Sequence, residues 1–257
     1  MNILFLGDVV AKSGCEAVVR NLAMLKEKYS ADLTVVNAEN AAHGKGITPN
    51  IYKELMEAGA DVLTLGNHAY AKKEIVQNMD RYTSLVRPAN IPGGKGRRVV
   101  YKDIGGIRTA VVNLLGNVFM SSEYTSPFAE MEKLFGEIKA DVILVDFHAE
   151  ATSEKILFAE YFKDRLTAVI GTHTHVQTAD ERILNGCAYI TDAGMCGPYD
   201  SILGRDKDEI TAKVLRQEHT HYKPSDGAAI ICGAVIRLDE TTKRAAAIER
   251  VQIRPDS

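Results

Sequence analysis

The stretch Val62-Leu63-Thr64-Leu65-Gly66-Asn67-His68 decides the fold, because a short apolar run in it ends abruptly in polar residues. Such a run, closed by a glycine, is typical of a buried parallel strand. A carboxamide and an imidazole just past the end of the strand suit a metal ligand beside an acid catalyst. The alternative is that Asn67 and His68 only close the strand and cap the next helix, since three residues are a weak motif.

The alternation of apolar strands and amphipathic helices extends along the whole chain. Buried strands are predicted at 2–6, 33–36, 62–65, 142–145, 168–170 and 188–190. Helices are predicted at 18–29, 49–58, 72–79, 127–138, 153–162 and 209–216. Two hairpins, at 99–115 and 228–253, add antiparallel strands. The pattern predicts one α/β domain, residues 1–257, whose many strands form two mixed sheets packed on each other and flanked by helices.

Composition and charge exclude several classes of protein. The 257 residues are 46% hydrophobic and 25% charged, as in an ordinary globular protein. A formal net charge of -3 argues against a partner such as duplex nucleic acid. The four cysteines form no C-x-x-C pair, which fits a reducing compartment. The first residues do not resemble a signal peptide, and no apolar run approaches the roughly 20 residues that span a bilayer. We therefore expect a cytoplasmic protein without a membrane partner; a homo-oligomer stays open.

Five predicted strands end in residues that can bind a metal ion. These residues are Asp8, Glu39 with Asn40, Asn67, His148, and His173 with His175. The carboxyl ends of parallel strands share one crevice in an open α/β sheet, so the side chains should converge. Oxygen and nitrogen donors without a thiolate suit Mn, Fe or Zn better than Ca or Mg. Because the candidates are too many for one ion, we expect two divalent ions, bridged by Glu39, that clamp phosphoryl oxygens.

His68 is the candidate acid catalyst. Adjacent residues leave a strand end in different directions, so His68 should not bind a metal ion if Asn67 does. A free imidazole, with an ordinary pKa of about 6.5, can protonate a leaving oxygen. The competing interpretation is that His68 only donates a hydrogen bond to a phosphate.

Other polar residues give weaker signals. Asp146 and Glu150 flank His148 and either could orient it, or either could form a surface ion pair. His43 could contact substrate or solvent. No apolar strand leads into His219-Thr220-His221, which favours a solvated loop.

Longer motifs surround the candidate ligands. They are Gly7-Asp8, Asn37-Ala38-Glu39-Asn40-Ala41-Ala42-His43-Gly44-Lys45-Gly46, Gly66-Asn67-His68, Asp146 through Lys155, Gly171 through Asp180, and Thr191-Asp192-Ala193-Gly194-Met195. These motifs resemble the calcineurin-like metallophosphoesterase superfamily and, within it, the bacterial YmdB-type phosphodiesterases. The similarity runs from about residue 1 to residue 253.

The resemblance implies the four-layer metallophosphoesterase fold, with two mixed sheets flanked by helices, and a dinuclear Fe or Mn centre. One ion would be held by Asp8, Glu39, Asn40 and His175, and the other by Glu39, Asn67, His148 and His173. The implied function is hydrolysis of 2′,3′-cyclic nucleotides or RNA ends by a metal-bridging hydroxide, with His68 as the proton donor. Two alternatives use the same scaffold: a phosphomonoesterase, and a nucleotide-binding regulatory protein with weak catalysis.

The chain departs from the family pattern at four places. The family usually has glycine at Ala11, arginine at Cys15 and at Asn117, and a small residue, tryptophan and an acidic residue at Ala69-Tyr70-Ala71. None of these positions is a proposed ligand, so metal binding should survive. The departures could alter substrate preference.

Overall fold

Two facing β-sheets form the centre of the computed structural model, which describes residues 1–255. Its strands are β1 (Asn2–Leu6), β2 (Asp8–Val9), β3 (Leu33–Asn37), β4 (Val62–Thr64), β5 (Leu85–Val86), β6 (Val99–Ile104), β7 (Ile107–Leu115), β8 (Val142–His148), β9 (Ala168–Thr172), β10 (Arg182–Leu184), β11 (Cys187–Ile190), β12 (Met195–Pro198), β13 (Ala229–Leu238) and β14 (Ala245–Ile253). Its helices are α1 (Ala11–Tyr29), α2 (Pro49–Glu57), α3 (Lys73–Val76), α4 (Pro127–Glu137), α5 (Thr152–Phe162) and α6 (Lys207–Leu215), with a 3₁₀ turn at Met79–Arg81.

Both sheets are mixed, as the sequence predicts. The first sheet has the order β2-β12-β13-β1-β3-β4-β5, with β14 paired to β13. The second sheet has the order β10-β11-β9-β8-β7-β6. Parallel pairing joins β1, β3, β4 and β5 in the first sheet and β7, β8 and β9 in the second. The hairpins β13–β14 and β6–β7 supply antiparallel strands.

Alternating side chains along the strands build the layers. In β1, the side chain of Leu4 packs in a hydrophobic cluster with residues of α1 and α2. The preceding residue, Ile3, points to the other side of the sheet and packs in a cluster with Leu144 of β8, in the second sheet. The neighbour of Leu144, Val145, points to the outer side and packs with Phe158 of α5. The resulting order is helices, sheet, sheet, helices, which confirms the predicted sandwich.

The structure differs from the sequence prediction in several elements. Helix α1 begins at Ala11 rather than at residue 18. The first turns of α1 pack closely at Gly14, where an added Cβ would lie 2.1 Å from the carbonyl oxygen of Cys196. Because this contact requires glycine, the first turns lack the large apolar side chains by which a helix is predicted. The helix predicted at 72–79 is only α3 and a 3₁₀ turn, and the buried side chain of α3 is Ile75 alone. Strands β2, β5, β10 and β12, of two to four residues each, were not predicted.

The strands that precede the candidate ligands belong to both sheets. Strands β1, β3 and β4 come from the first sheet, and β8 and β9 come from the second. The crevice expected at the edge of one sheet is therefore shared by two sheets at one end of the sandwich. Within residues 1–255, no helix combines the length and the apolar character that crossing a bilayer requires.

Candidate metal centre

Asp8, Asn40 and His175 form a first group of polar side chains. Asn40 Nδ2 lies 3.0 Å from His175 Nε2 and 3.4 Å from Asp8 Oδ1. The Asp8 carboxylate is fully buried, and its Oδ2 accepts the backbone N–H of His173 at 3.1 Å. This contact ties the first group to the residues that follow β9.

Asn67, His148 and His173 form a second group around one ring nitrogen. His148 Nε2 lies 3.0 Å from Asn67 Oδ1 and 3.0 Å from His173 Nδ1. The His148 ring is fully buried, and the two imidazole rings meet edge to face with centroids 4.7 Å apart. Three groups with lone pairs therefore point at a common space.

Glu39 stands where the two groups meet. It directly precedes Asn40 of the first group, and its Oε1 lies 3.4 Å from His148 Nε2 of the second. One ligand atom each from Glu39, His148 and His173 lies within 4.8 Å of the others. The Glu39 carboxylate also accepts the backbone N–H of His68 at 2.9 Å. The structure thus brings all seven predicted ligands together, and their binding of metal ions stays a prediction.

Gly66 makes room for the second group. A Cβ at this position would lie 2.5 Å from His148 Nε2 and 2.7 Å from Glu39 Oε2. A contact this short would force His148 or Glu39 to shift, so glycine lets strand β4 pass close to both candidate ligands. The glycine that marks the end of the strand in the sequence is therefore part of the candidate centre.

A buried chain of hydrogen bonds fixes the His148 ring. His148 Nδ1 lies 2.9 Å from Thr172 Oγ1, and that hydroxyl donates its single proton to Asp146 Oδ1 at 2.7 Å. The hydroxyl must therefore accept the Nδ1–H of His148. The other Asp146 oxygen accepts from Thr64 and Asn37. Asp146 orients His148 through Thr172 and leaves Nε2 as the free ligand atom.

The two other imidazoles are fixed in the same manner. His173 Nε2 lies 3.1 Å from Glu150 Oε2, and His175 Nδ1 lies 3.0 Å from the backbone oxygen of Leu203. Carboxylate and carbonyl oxygens only accept, so these outer nitrogens carry the protons. The inner nitrogens are then free to bind a cation, as in most histidine metal sites. Of the two residues that could have oriented His148, Asp146 does so through Thr172, whereas Glu150 contacts His173 instead.

The loop after β9 is strained. His173 has φ of 101° and His175 has φ of 66°, both in the left-handed region that non-glycine residues rarely adopt. Such strain persists only where the surrounding structure holds the backbone, and it concentrates at functional sites. Two neighbouring ligands with this backbone point to a function for the loop.

A buried ion pair holds that loop from behind. Lys155 and Asp192 are fully buried, with Nζ 2.9 Å from Oδ2. Lys155 Nζ also donates to the backbone oxygen of Thr172 at 2.8 Å, and Asp192 Oδ2 accepts the backbone N–H of Thr174 at 3.0 Å. Sequence reasoning missed this pair, although Asp192 lies in the quoted motif at 191–195. The available signal for Lys155 was its helical spacing from Phe158, Ala159 and Phe162, which are buried on the same side of α5.

Charges within the site shift several pKa values. Burial alone would raise the pKa of Glu39, but His148 and His68 lower it to about 2. Burial alone would lower the pKa of His148, yet Glu39 and Asp8 raise it to about 9. Burial and the neighbouring His148 lower the pKa of His173 to about 3. Opposite charges on Glu39 and His148 thus stabilise each other across a distance of 3.4 Å.

The two ligand groups lie at the base of a cleft of about 380 Å³. His68, Lys45, Arg205 and Tyr222 line its wall. His68 is half-buried, and its pKa is lowered by burial and by nearby cations such as Lys45. The predicted acid catalyst therefore faces the space above the candidate metal centre.

The weaker candidates lie elsewhere. His43 lines a separate cavity of about 420 Å³ between α1 and α2. His219 and His221 are exposed, as expected for a solvated loop. These histidines therefore play no part in the candidate metal centre.

The departures from the family pattern leave the candidate centre intact. Cys15, Tyr70 and Asn117 each donate a side-chain hydrogen bond to a backbone carbonyl outside the seven ligands. Ala11 has φ of 53°, a conformation that glycine adopts at lower cost and that explains the glycine expected there.

Comparisons with known proteins show the family to which the chain belongs. The YmdB-like protein family matches residues 4–251. The chain is 46% identical over 260 residues to a 2′,3′-cyclic-nucleotide 2′-phosphodiesterase of Bacillus subtilis (strain 168), covering 100% of this chain and 98% of that protein. A crystal structure of a novel phosphatase from Mycoplasma pneumoniae superposes with a TM-score of 0.94 at 37% identity, covering 98% of this chain and 93% of that chain. A 5′-nucleotidase precursor from Thermus thermophilus shares the fold alone, with a TM-score of 0.52 at 11% identity over 98% of this chain and 54% of that chain.

Proposed function

Because the chain belongs to the YmdB-like family, we propose that it is a metal-dependent phosphodiesterase that opens the ring phosphate of 2′,3′-cyclic nucleotides. One observation carries the proposal. Each of three imidazoles has its outer nitrogen hydrogen-bonded to an acceptor. The inner nitrogens of His148 and His175 face carboxylate and amide groups, and that of His173 faces His148. Buried polar groups without such a purpose would be costly, and a pair of divalent cations explains them.

The donor set fits two cations. We assign Asp8, Glu39, Asn40 and His175 to one ion, and Glu39, Asn67, His148 and His173 to the other. Mixed oxygen and nitrogen donors favour Fe or Mn, with Zn as the third choice. When bound, two such cations lower the pKa of a water molecule and neutralise the charge on a phosphoryl group.

His68 supplies the proton in the proposed reaction. Hydrolysis joins a water oxygen to phosphorus and breaks the bond from phosphorus to the ribose 2′-oxygen. The departing 2′-oxygen takes its proton from a ring nitrogen of His68, while the attacking water molecule releases one proton to solvent and His68 then regains a proton from solvent. The product is a nucleoside 3′-phosphate. Burial and Lys45 lower the pKa of His68, and the negative charge of a bound phosphodiester opposes them by favouring the protonated ring.

Leaving groups of different basicity test the role of His68. We expect His68→Ala to lower kcat on 2′,3′-cyclic AMP by roughly 10²–10⁴-fold, the usual contribution of a general acid. The loss should be far smaller on bis(4-nitrophenyl) phosphate, because 4-nitrophenolate departs without a proton. Metal content should stay unchanged. Equal losses on both substrates, or normal turnover of the cyclic nucleotide, would remove His68 from this role.

A phosphomonoesterase is the second candidate, favoured by the name of the Mycoplasma pneumoniae relative. Parallel assays of 2′,3′-cyclic AMP and adenosine 3′-phosphate with the Mn²⁺-loaded protein separate the two activities. The diesterase proposal requires turnover of the first to the second and accumulation of the monoester. Tight binding of the cyclic nucleotide without hydrolysis would instead indicate a regulatory protein.

All four cysteines are free and buried, which supports our proposal of a reducing, cytoplasmic location.

A further inference from the structure

One segment outside the sandwich closes the cleft on its outer side. This cap segment, residues 199–228, joins β12 to β13 and contains α6. Its Leu203 accepts a hydrogen bond from His175 Nδ1, and three of its residues line the cleft, namely Leu203, Arg205 and Tyr222. Two backbone bridges, Ile202 with Arg205 and Arg205 with Pro224, hold these residues together. The cap segment therefore presents side chains to whatever binds above the ligands.

The ring of Tyr222 has a fixed position in that wall. A Cβ on Gly44 would lie 2.1 Å from the Tyr222 hydroxyl oxygen and 2.5 Å from a ring carbon, so the ring rests on the bare backbone at Gly44. The Arg205 guanidinium lies 5.1 Å from the ring centroid, and Lys45 Nζ lies 5.8 Å from it. Arg205 itself is held by Glu209 through hydrogen bonds of 2.7 and 3.0 Å. The ring is thus oriented before any ligand arrives.

Among the residues that line the cleft, Tyr222 supplies a large aromatic ring, whereas most of the others supply charged groups, imidazoles or an amide. Metal ligands and cations recognise a phosphate and leave the remainder of a nucleotide without a partner. A fixed aromatic ring backed by a guanidinium is the usual surface on which a nucleobase stacks. We propose that Tyr222 determines specificity for the nucleoside by stacking on the base, an inference that rests on the proposed phosphodiesterase function.

Substrates with and without a base test this inference. The variants are Tyr222→Leu, Tyr222→Phe and, as a matched control, the exposed Tyr199→Leu on the same cap segment. The substrates are 2′,3′-cyclic AMP and 1-O-methylribose 2′,3′-cyclic phosphate, which keeps the reacting groups and lacks the base. Stacking contributes roughly 1–3 kcal/mol per base, which corresponds to a factor of about 5 to 150 in binding.

We expect Tyr222→Leu to raise KM for 2′,3′-cyclic AMP by about 5- to 150-fold with little change in kcat. KM for the base-free diester should stay near its wild-type value. Tyr222→Phe keeps the ring and should behave like the wild type, as should Tyr199→Leu. An unchanged KM for 2′,3′-cyclic AMP, or an equal rise for both substrates, would overturn the inference.

Failure of the proposed function has a different signature. In that case the Mn²⁺-loaded wild-type protein hydrolyses neither diester. Calorimetric titration of wild type and Tyr222→Leu with 2′,3′-cyclic AMP then decides the role of Tyr222. Weaker binding by the variant supports stacking, and equal binding contradicts it.

Discussion

Replacing Lys155 with methionine should destabilise the protein and also weaken metal binding, although Lys155 is not a proposed ligand. Its ammonium and the Asp192 carboxylate are fully buried and 2.9 Å apart. Methionine fills most of the volume of the lysine stem but has no charge. The substitution therefore leaves the Asp192 carboxylate without its counter-ion and the backbone oxygen of Thr172 without its donor.

Breaking one partner of a buried ion pair costs about 3–5 kcal/mol, because the remaining charge stays uncompensated. A typical domain has a total stability of only about 5–15 kcal/mol, so the effect should be large. Asp192 also holds the backbone N–H of Thr174, between His173 and His175. With that anchor disturbed, we expect affinity for Mn²⁺ to fall by roughly 10- to 100-fold, as when an outer partner of a metal ligand is removed.

Urea unfolding followed by circular dichroism measures the stability loss, and calorimetric titration with Mn²⁺ measures the affinity. The matched control is Lys163→Met, since Lys163 pairs with Glu160 at 2.8 Å on the surface near the end of the same helix α5. That control should leave the unfolding midpoint and the affinity nearly unchanged. Adding Asp192→Asn to Lys155→Met removes both charges and should cost less than the sum of the two single variants.

If Lys155→Met unfolds at the same urea concentration as the wild type, the Lys155–Asp192 ion pair does not stabilise the fold and our interpretation is wrong. A stability loss with unchanged Mn²⁺ affinity would separate the pair from the metal centre. It would show that the strained loop after β9 keeps its shape without the pair.

Three other perturbations probe contacts in and around the site. Gly66→Ala places a Cβ 2.5 Å from His148 Nε2, so it should lower the free energy of unfolding in urea by about 1–3 kcal/mol and weaken Mn²⁺ binding. Gly136→Ala is the control, because a Cβ there meets open space and should change neither quantity for the worse. The Glu39→Gln variant should bind one cation fewer and should not hydrolyse the substrate, while its fold is retained. Elemental analysis, turnover assays and circular dichroism measure these three outcomes, and unchanged turnover would show that Glu39 is not the bridge. Burial raises the pKa of all four thiols, to about 12 for Cys15. At a pH of about 8, which is already below the ordinary pKa of a thiol, little reactive thiolate therefore forms. Ellman's reagent should therefore react slowly with the native protein and with all four thiols after unfolding, and rapid native reaction would contradict this.

The meeting of the candidate ligands in one place could largely be predicted because strand ends are visible in the sequence. The apolar run at 62–65 ends in Gly66-Asn67-His68, and its side chains lie where a parallel strand would place them. The same reasoning located Asp8 and His148. Local hydrophobic patterning carries this information without any knowledge of strand pairing.

The sharing of one site by two sheets could not be predicted. Pairing between β1 and β3, or between β8 and β9, joins residues far apart in sequence, and the pattern of each strand does not name its partner. The partners of the outer imidazole nitrogens are equally non-local. Thr172 and Leu203 have ordinary side chains, and their contacts exist only after folding.

The start of α1 and the role of Lys155 show a second limit. Gly14 packs on the backbone of β12 and Lys155 is buried in an ion pair, so neither follows the rule that buried positions are apolar. Hydrophobic periodicity reports burial only where burial is apolar. Close backbone contacts and buried charges leave no such signal.

Anomalous diffraction from crystals grown with Mn²⁺ tests the paired-cation centre most directly. The prediction is two manganese peaks in one pocket, one beside Asp8, Asn40 and His175, the other beside Asn67, His148 and His173, with Glu39 contacting both. A single peak, no peak, or manganese bound away from these side chains would contradict it.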